Sequence, residues 1–321
     1  MEKTKSIYFL EVAAEDQKVI SENFPDAKII EETLLEDEII DRCVDAEILC
    51  VFIHSKISKK VIDSLQNLKM IVTRSVGYDH IDLQAAQGKN IIVTNVPDYG
   101  SYVISEFVFA LLLSGLRHIG EGDERVEKKE EFSFTGLRGV ALKGKTLGVI
   151  GTGKIGRNVA RIASLGFLMD VLAFDAYPNE EMAEEMHFRY ASLEEIWKQS
   201  DVISLHCPLL EETKHLVNDE SIAKMKDGVI IVNTSRGGII DTGALVRAIK
   251  DKKVSHAFLD VLEHEENIAT DRELINLPGV ITTPHIAFYA DDSMQKMYKT
   301  AFFTIKEYIS SGRISNKVIG F

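Results

Sequence analysis

The feature that most constrains this chain is Lys145-Thr-Leu-Gly-Val-Ile-Gly-Thr-Gly-Lys-Ile-Gly-Arg157, a short apolar run that ends at Ile150 and meets glycines at Gly151, Gly153 and Gly156. Thr146 to Ile150 reads as a buried strand. Ile155, Val159, Ile162 and Ala163 recur at helical spacing over Lys154 to Leu165, so the glycines fall at a strand-to-helix turn. Gly151 permits a tight turn, Gly153 lets a pyrophosphate approach the backbone, and Gly156 lets helix and strand pack closely. The helix N-terminus adds unpaired N–H groups and a positive dipole end, so the turn suits an anionic dinucleotide.

A second apolar run, Val171-Leu-Ala-Phe174, ends in Asp175, nineteen residues beyond Gly156. An acid at that spacing hydrogen-bonds an adenosine ribose. No Arg or Lys follows Asp175 until Arg189, so a 2′-phosphate meets repulsion and no cation, which favours NAD over NADP. The competing reading of Asp175 is a loop cap.

Charge and cysteine content narrow the partners. With 50 acidic against 37 basic residues and a formal net charge of -13, the chain is not built for nucleic acid or an anionic membrane surface. Cys43, Cys50 and Cys207 form no C-x-x-C pair and no metal-ligand spacing, which suits a reducing cytoplasm and predicts no metal. The N-terminus runs directly into the strand-like Ile7-Tyr-Phe-Leu10 with no export signal, and the longest apolar stretch, Phe107 to Leu113, is too short to span a bilayer. A cytoplasmic protein with no membrane partner is expected.

The first hundred residues alternate apolar runs (Ile7 to Leu10, Lys28 to Ile30, Ile48 to Ile53, Met70 to Thr73, Ile91 to Thr94) with polar helical segments such as Glu15 to Asn23 and Lys59 to Leu68. That rhythm is the sequence form of a parallel α/β sheet. Ser101 to Leu116 is a buried helix pattern with Ser101 as its cap, and the charge-dense 121–138 reads as a solvated connection. From Thr146 onward six strands are expected: Thr146 to Ile150, Val171 to Phe174, Val202 to Leu205, Val229 to Val232, Ala257 to Val261 and Val280 to Thr282. The fold class is therefore α/β with two doubly wound parallel-sheet domains. Residues 1–99 with a returning helix in 290–321 form one, and 100–289 form the other.

Ligands of such sheets bind at the carboxyl ends of the strands. Arg74-Ser-Val-Gly77 follows one strand and offers backbone N–H groups to a small anion, whereas Asp79, His80 and Asp82 read better as caps of a helix beginning near Ile81. In the second domain Arg236, Glu265 and His285 each follow a strand. Hydride delivery by a dinucleotide still needs a cation to hold a substrate carboxylate and an acid to protonate a carbonyl oxygen. Arg236 and His285 meet those needs, and Glu265 would orient and stabilise a protonated imidazole. Singly, Arg236 also reads as a surface turn beside two glycines, Glu265 as part of an acidic run, and His285 as a helix cap. Their joint placement carries the catalytic reading.

Five motifs together resemble the D-2-hydroxyacid dehydrogenases over nearly the whole chain: Gly148-Val-Ile-Gly-Thr-Gly-Lys-Ile-Gly156 with Asp175, His206-Cys-Pro-Leu209, Val232-Asn-Thr-Ser-Arg-Gly-Gly238 with Ile240-Asp241, Leu259-Asp-Val-Leu-Glu-His-Glu265, and Thr283-Pro-His285. The resemblance implies a flavodoxin-like substrate domain and a Rossmann NAD-binding domain with a cleft between them, and a homodimer built partly on the helix from Ser101. It makes Arg236, Glu265 and His285 the catalytic triad. Gly151, Gly153, Lys154, Ile155, Gly156, Asp175, His206, Cys207, Pro208, Thr213, Thr234 and Ser235 are implied cofactor contacts, with Asp260 near the nicotinamide. Val76, Gly77, Tyr99, Arg236, His285 and Phe288 are the implied substrate contacts. Pro284-His-Ile-Ala-Phe-Tyr289 is similar to the D-lactate dehydrogenase branch, which implies reduction of pyruvate. Another 2-keto acid or glyoxylate/hydroxypyruvate reductase shares the same catalytic residues, and an NAD-sensing co-repressor is the alternative outside enzymes.

Overall fold

The computed structural model describes residues 5–312 together with Ile314, Lys317 and Val318. Two compact units divide the chain: one comprises the chain up to Tyr99 and from Ala290 on, the other Gly100–Tyr289.

The smaller unit is a five-stranded parallel sheet of β1 (Ile7–Phe9), β2 (Lys28–Ile29), β3 (Ile48–Val51), β4 (Met70–Thr73) and β5 (Ile92–Thr94), in the order β2-β1-β3-β4-β5. Every residue of β1, β3 and β4 is buried, as parallel strands covered on both faces require. The helix Asp291–Ser311 belongs to this unit. Its Phe302 ring meets Phe9 edge-on at 6.0 Å and Phe24 at 5.3 Å. Val318 N–H donates to the Val93 carbonyl at 3.0 Å, so the chain returns along the β5 edge.

The larger unit holds β6 (Thr146–Ile150), β7 (Asp170–Phe174), β8 (Arg189–Tyr190), β9 (Val202–Leu205), β10 (Val229–Asn233), β11 (Val254–Leu259) and β12 (Val280–Thr282), all parallel, in the order β12-β11-β10-β9-β6-β7-β8. Strand order reverses between β6 and β9, and at that switch point α/β sheets bind their ligands. Both sheets are those of the expected α/β class. Seven strands stand where six were expected: β8 is only two residues long and begins with the exposed Arg189, so no apolar run announces it.

Two further details differ from the sequence reading. The expected solvated connection contains a helix, Ile119–Lys129, with no buried residue, supported by Glu121–Arg125 and Glu124–Lys128 pairs four residues apart. With only Ile119 and Val126 apolar, both exposed, the helix has no continuous apolar stripe to betray it. The helix Ser101–Leu116 lies where expected, but its cap is Gly100, and Ser101 is its first residue.

Candidate active site

Backbone geometry makes the glycine turn. Gly151 has φ +96°, and a Cβ on it would lie 2.6 Å from the His206 carbonyl carbon. A Cβ on Gly156 would lie 1.9 Å from the Gly151 oxygen, so helix and strand meet at a distance only glycine allows. Gly153, the cap of the helix Lys154–Arg161, is exposed with nothing near its missing Cβ. Lys154 and Ile155 open that helix. The result is an unobstructed approach to its first-turn N–H groups.

Around this cradle, Asp175 follows β7 and is partly buried. Its Oδ2 accepts from the Thr152 N–H at 2.6 Å and the Thr152 hydroxyl at 3.0 Å, and its Oδ1 accepts from the Tyr177 N–H at 2.9 Å. The carboxylate is thereby fixed at the lip of the turn with acceptor capacity left for ribose hydroxyls. His206, after β9, has Nε2 2.8 Å from the Ser204 hydroxyl, and burial pushes its pKa down to about 3. Burial pushes the Cys207 thiol up to about 11. These two side chains form a neutral wall, and Pro208 stands exposed beyond them. Thr234 brings a buried hydroxyl with no hydrogen-bond partner among the described residues, while the Ser235 hydroxyl donates to Asn233 Oδ1 at 2.9 Å. An open glycine turn, a poised carboxylate and an orphaned hydroxyl fit a dinucleotide. The Thr213 hydroxyl donates to the Pro208 carbonyl at 2.6 Å and accepts from the Leu210 N–H at 2.7 Å, which closes its own turn.

Arg236, Glu265 and His285 follow β10, β11 and β12, three adjacent strands with their carboxyl ends on one side. A Cβ on Gly237 would fall 1.9 Å from the Leu262 oxygen, so glycine lets the loop bearing Arg236 press against the loop bearing Glu265. Asn233 braces the first loop, donating from Nδ2 to the Arg236 carbonyl at 2.9 Å and accepting at Oδ1 from the Ser235 N–H at 3.0 Å. The Arg236 guanidinium is half-buried and donates to the Ser235 carbonyl at 2.9 Å.

His285 Nδ1 lies 3.3 Å from Glu265 Oε2, with 17% of the imidazole and 30% of the carboxylate side chain exposed. The other Glu265 oxygen accepts from the Leu262 N–H at 3.3 Å. Nδ1 is thus the nitrogen that the carboxylate orients. The backbone of His285 is left-handed, φ +54°, which costs on the order of 1 kcal/mol or more for a residue with a Cβ. Asp260 holds it there. Its backbone carbonyl accepts the His285 N–H at 2.9 Å, and its carboxylate accepts the Thr283 hydroxyl at 2.6 Å and the N–H groups of Ile286 and Ala287 at 2.9 Å each. Asp260 is 1% exposed. Its bonds make it the anchor of the His285 loop, and its apolar neighbours Leu259 and Val261 are buried beside it. Phe288 is buried, and its ring centre lies 6.2 Å from that of His285 at 75°.

In the smaller unit, the Val76 and Gly77 carbonyls accept from Asn95 Nδ2 at 2.8 Å and the Ser75 hydroxyl at 2.5 Å. The N–H groups of Val76 and Gly77 pair with no acceptor among the described residues. Tyr99 is buried in the loop after β5. Asp82 caps the helix Leu83–Gly88 through the Ala85 N–H at 2.9 Å, and His80 Nε2 lies 3.3 Å from the Thr73 hydroxyl, so this cluster is structural. Among the described residues no group of three or more His, Cys, Asp or Glu side chains is placed to hold a metal, and no single helix is long and apolar enough to cross a membrane.

The family model described as "D-isomer specific 2-hydroxyacid dehydrogenase, NAD binding domain" matches residues 109–287. Among curated relatives, 2-hydroxyacid dehydrogenase homolog 2 of Schizosaccharomyces pombe is 38% identical, with 83% of this chain and 84% of that protein covered. A hydroxypyruvate reductase of Thermotoga maritima is 39% identical over 86% of this chain and 89% of its own. Among solved structures, D-lactate dehydrogenase from Aquifex aeolicus complexed with NAD and lactic acid is similar with a TM-score of 0.87 and 35% identity, covering 98% of this chain and 100% of that one.

Proposed function

Because this chain belongs to the D-isomer specific 2-hydroxyacid dehydrogenases, NAD-dependent oxidoreductases, we propose that it interconverts pyruvate and D-lactate. The observation that carries the reading is the Glu265–His285 pair at the ends of β11 and β12, next to Arg236 at the end of β10. Bound NADH supplies the hydride. Arg236 in the larger unit offers the keto-acid carboxylate a charge-assisted pair, and in the smaller unit the N–H groups of Val76 and Gly77 offer donors to a keto-acid carboxylate. His285 gives its Nε2 proton to the carbonyl oxygen as negative charge develops there, and Glu265 stabilises the imidazolium before that transfer. In the reverse direction the neutral imidazole takes the hydroxyl proton back. Gly151, Gly153, Gly156, Asp175 and Thr234 hold the cofactor.

The Phe288 ring, set edge-on to the imidazole, supports a small substrate by narrowing the space beside the proton donor. The hydroxypyruvate reductase relative supports a second reading, a keto acid with a 3-hydroxyl, served by the same residues. Ranking kcat/KM with NADH over pyruvate, hydroxypyruvate, glyoxylate, phenylpyruvate and 2-ketobutyrate tests both. Pyruvate first supports the proposal; another acid first keeps the reaction and replaces the substrate; no turnover with any favours a sensing protein. We also propose a cytoplasmic homodimer, supported by three free cysteines and by the exposed aromatic side chains Tyr102, Phe132 and Phe134. Sedimentation should give twice the chain mass.

A further inference from the structure

Arg74, immediately after β4, heads the largest fully buried side chains among the described residues, at 1% exposure. Its Nη1 donates to the Tyr298 hydroxyl at 2.7 Å, and its Nη2 donates to the carbonyls of Leu10 and Glu11. The guanidinium lies over the rings of Phe52 and Tyr298, at 5.5 and 5.3 Å. No carboxylate among the described residues pairs with it directly; the Tyr298 hydroxyl relays it to Asp16 Oδ2 at 3.0 Å. Burial pushes the Tyr298 phenol well above its usual range, so it stays neutral and compensates nothing. The Arg74 Nε–H is buried without a partner among the described residues.

A permanently charged guanidinium buried on neutral acceptors is costly, and buried charges are ordinarily paired. Two facts indicate what the charge is for. Through Leu10 and Glu11 it gathers the loop after β1, and the Glu11 carboxylate in turn receives the His54 and Ser55 N–H groups of the loop after β3 at 3.0 and 2.8 Å. The backbone of Arg74 runs directly into Ser75-Val76-Gly77, whose two N–H groups face no acceptor. A fixed positive charge is therefore carried by the residue that leads into an unfilled pair of donors, at the carboxyl edge of one sheet.

We propose that Arg74 is a positioning residue for the anionic end of the substrate: it fixes the Val76–Gly77 donors and supplies a positive charge, not directly paired, that draws a carboxylate to them. This rests on the reading that those donors receive the keto-acid carboxylate. The test compares Arg74→Met, Arg74→Lys, Tyr298→Phe and Asn95→Ala with the wild type for pyruvate KM, kcat and NADH affinity. Arg74→Met should raise KM about tenfold, Arg74→Lys should recover most of that, and Tyr298→Phe, which only frees the guanidinium from its relay, should raise KM about twofold to threefold. In all three, kcat and NADH affinity should stay within about twofold of wild type.

A purely architectural Arg74 would lower thermal stability and the active fraction with KM unchanged, and that result in Arg74→Lys and Tyr298→Phe overturns the proposal even if Arg74→Met fails to fold. Asn95→Ala releases the Val76 carbonyl without touching Arg74. If it raises KM while the Arg74 and Tyr298 variants do not, Arg74 is excluded and the carboxylate reading stands. If none of the variants moves KM, the carboxylate reading of this loop fails as well.

Discussion

Two arginines, each in a loop at the carboxyl end of a parallel strand, have opposite surroundings. Arg74 after β4 is 1% exposed, with its terminal nitrogens turned to its own unit's carbonyls and a phenol. Arg236 after β10 is half-buried, and Asn233 braces its loop through the Arg236 carbonyl and the Ser235 N–H and hydroxyl. Burial separates their tasks: a sealed guanidinium organises loops and projects a field, whereas an accessible one on a braced loop can grip a ligand. The same contrast holds for acids in the larger unit. Asp260 is sealed and anchors a backbone, while Glu265, 30% exposed at its side chain, faces an imidazole.

The largest expected effect falls on the open arginine. Arg236→Met should lower kcat/KM for pyruvate on the order of 10³-fold with little change in melting temperature or NADH affinity. Arg74→Met should do the reverse, destabilising the fold by about 3 kcal/mol in denaturant titration because it strands a phenol and two carbonyls, with a smaller kinetic cost. If the two variants exchange signatures, the contrast is broken. His285→Ala should cut kcat by about 10²-fold or more at unchanged NADH affinity; equal losses in both would remove its role as proton donor. Asp175→Ala sharpens the cofactor side of the larger unit: preference for NADH over NADPH should relax by about tenfold, the size of one charge-assisted hydrogen bond, and an unchanged ratio refutes repulsion of a 2′-phosphate.

The smallest effect is a pH dependence. His264, next to Glu265, has its pKa raised chiefly by its hydrogen bond to Asp271, 2.9 Å away. A raised folded-state value means the imidazolium stabilises the fold below the unfolded-state pKa, and the contribution fades as pH rises through the folded one. His264→Gln should remove that slope from stability measured across neutral pH. With its side chain 43% exposed, the contribution is below about 1 kcal/mol.

Much of this architecture is written in local signals. Parallel strands buried on both faces appear as apolar runs, so Ile48–Val51 and Met70–Thr73 are visible at once, and Gly151 and Gly156 mark their turn because a Cβ at either would meet backbone atoms. The two-residue β8 and the charge-dense helix Ile119–Lys129 lack any such pattern. The Glu265–His285 contact was approachable because both residues lie in loops that follow strands neighbouring in the sheet. Arg74 was not: one arginine in a loop reads as exposed, and its burial depends on Leu10 and Tyr298, residues far away along the chain. Asp260 likewise takes its role from the distant loop of His285 that folds back onto it.

The most direct test of the account is a single reaction in which purified protein is given NADH and pyruvate, with reduced-nicotinamide absorbance followed and the product resolved on a chiral column. The account predicts NADH consumption matched one-for-one by D-lactate. L-lactate as the product, or no consumption of NADH, would contradict it.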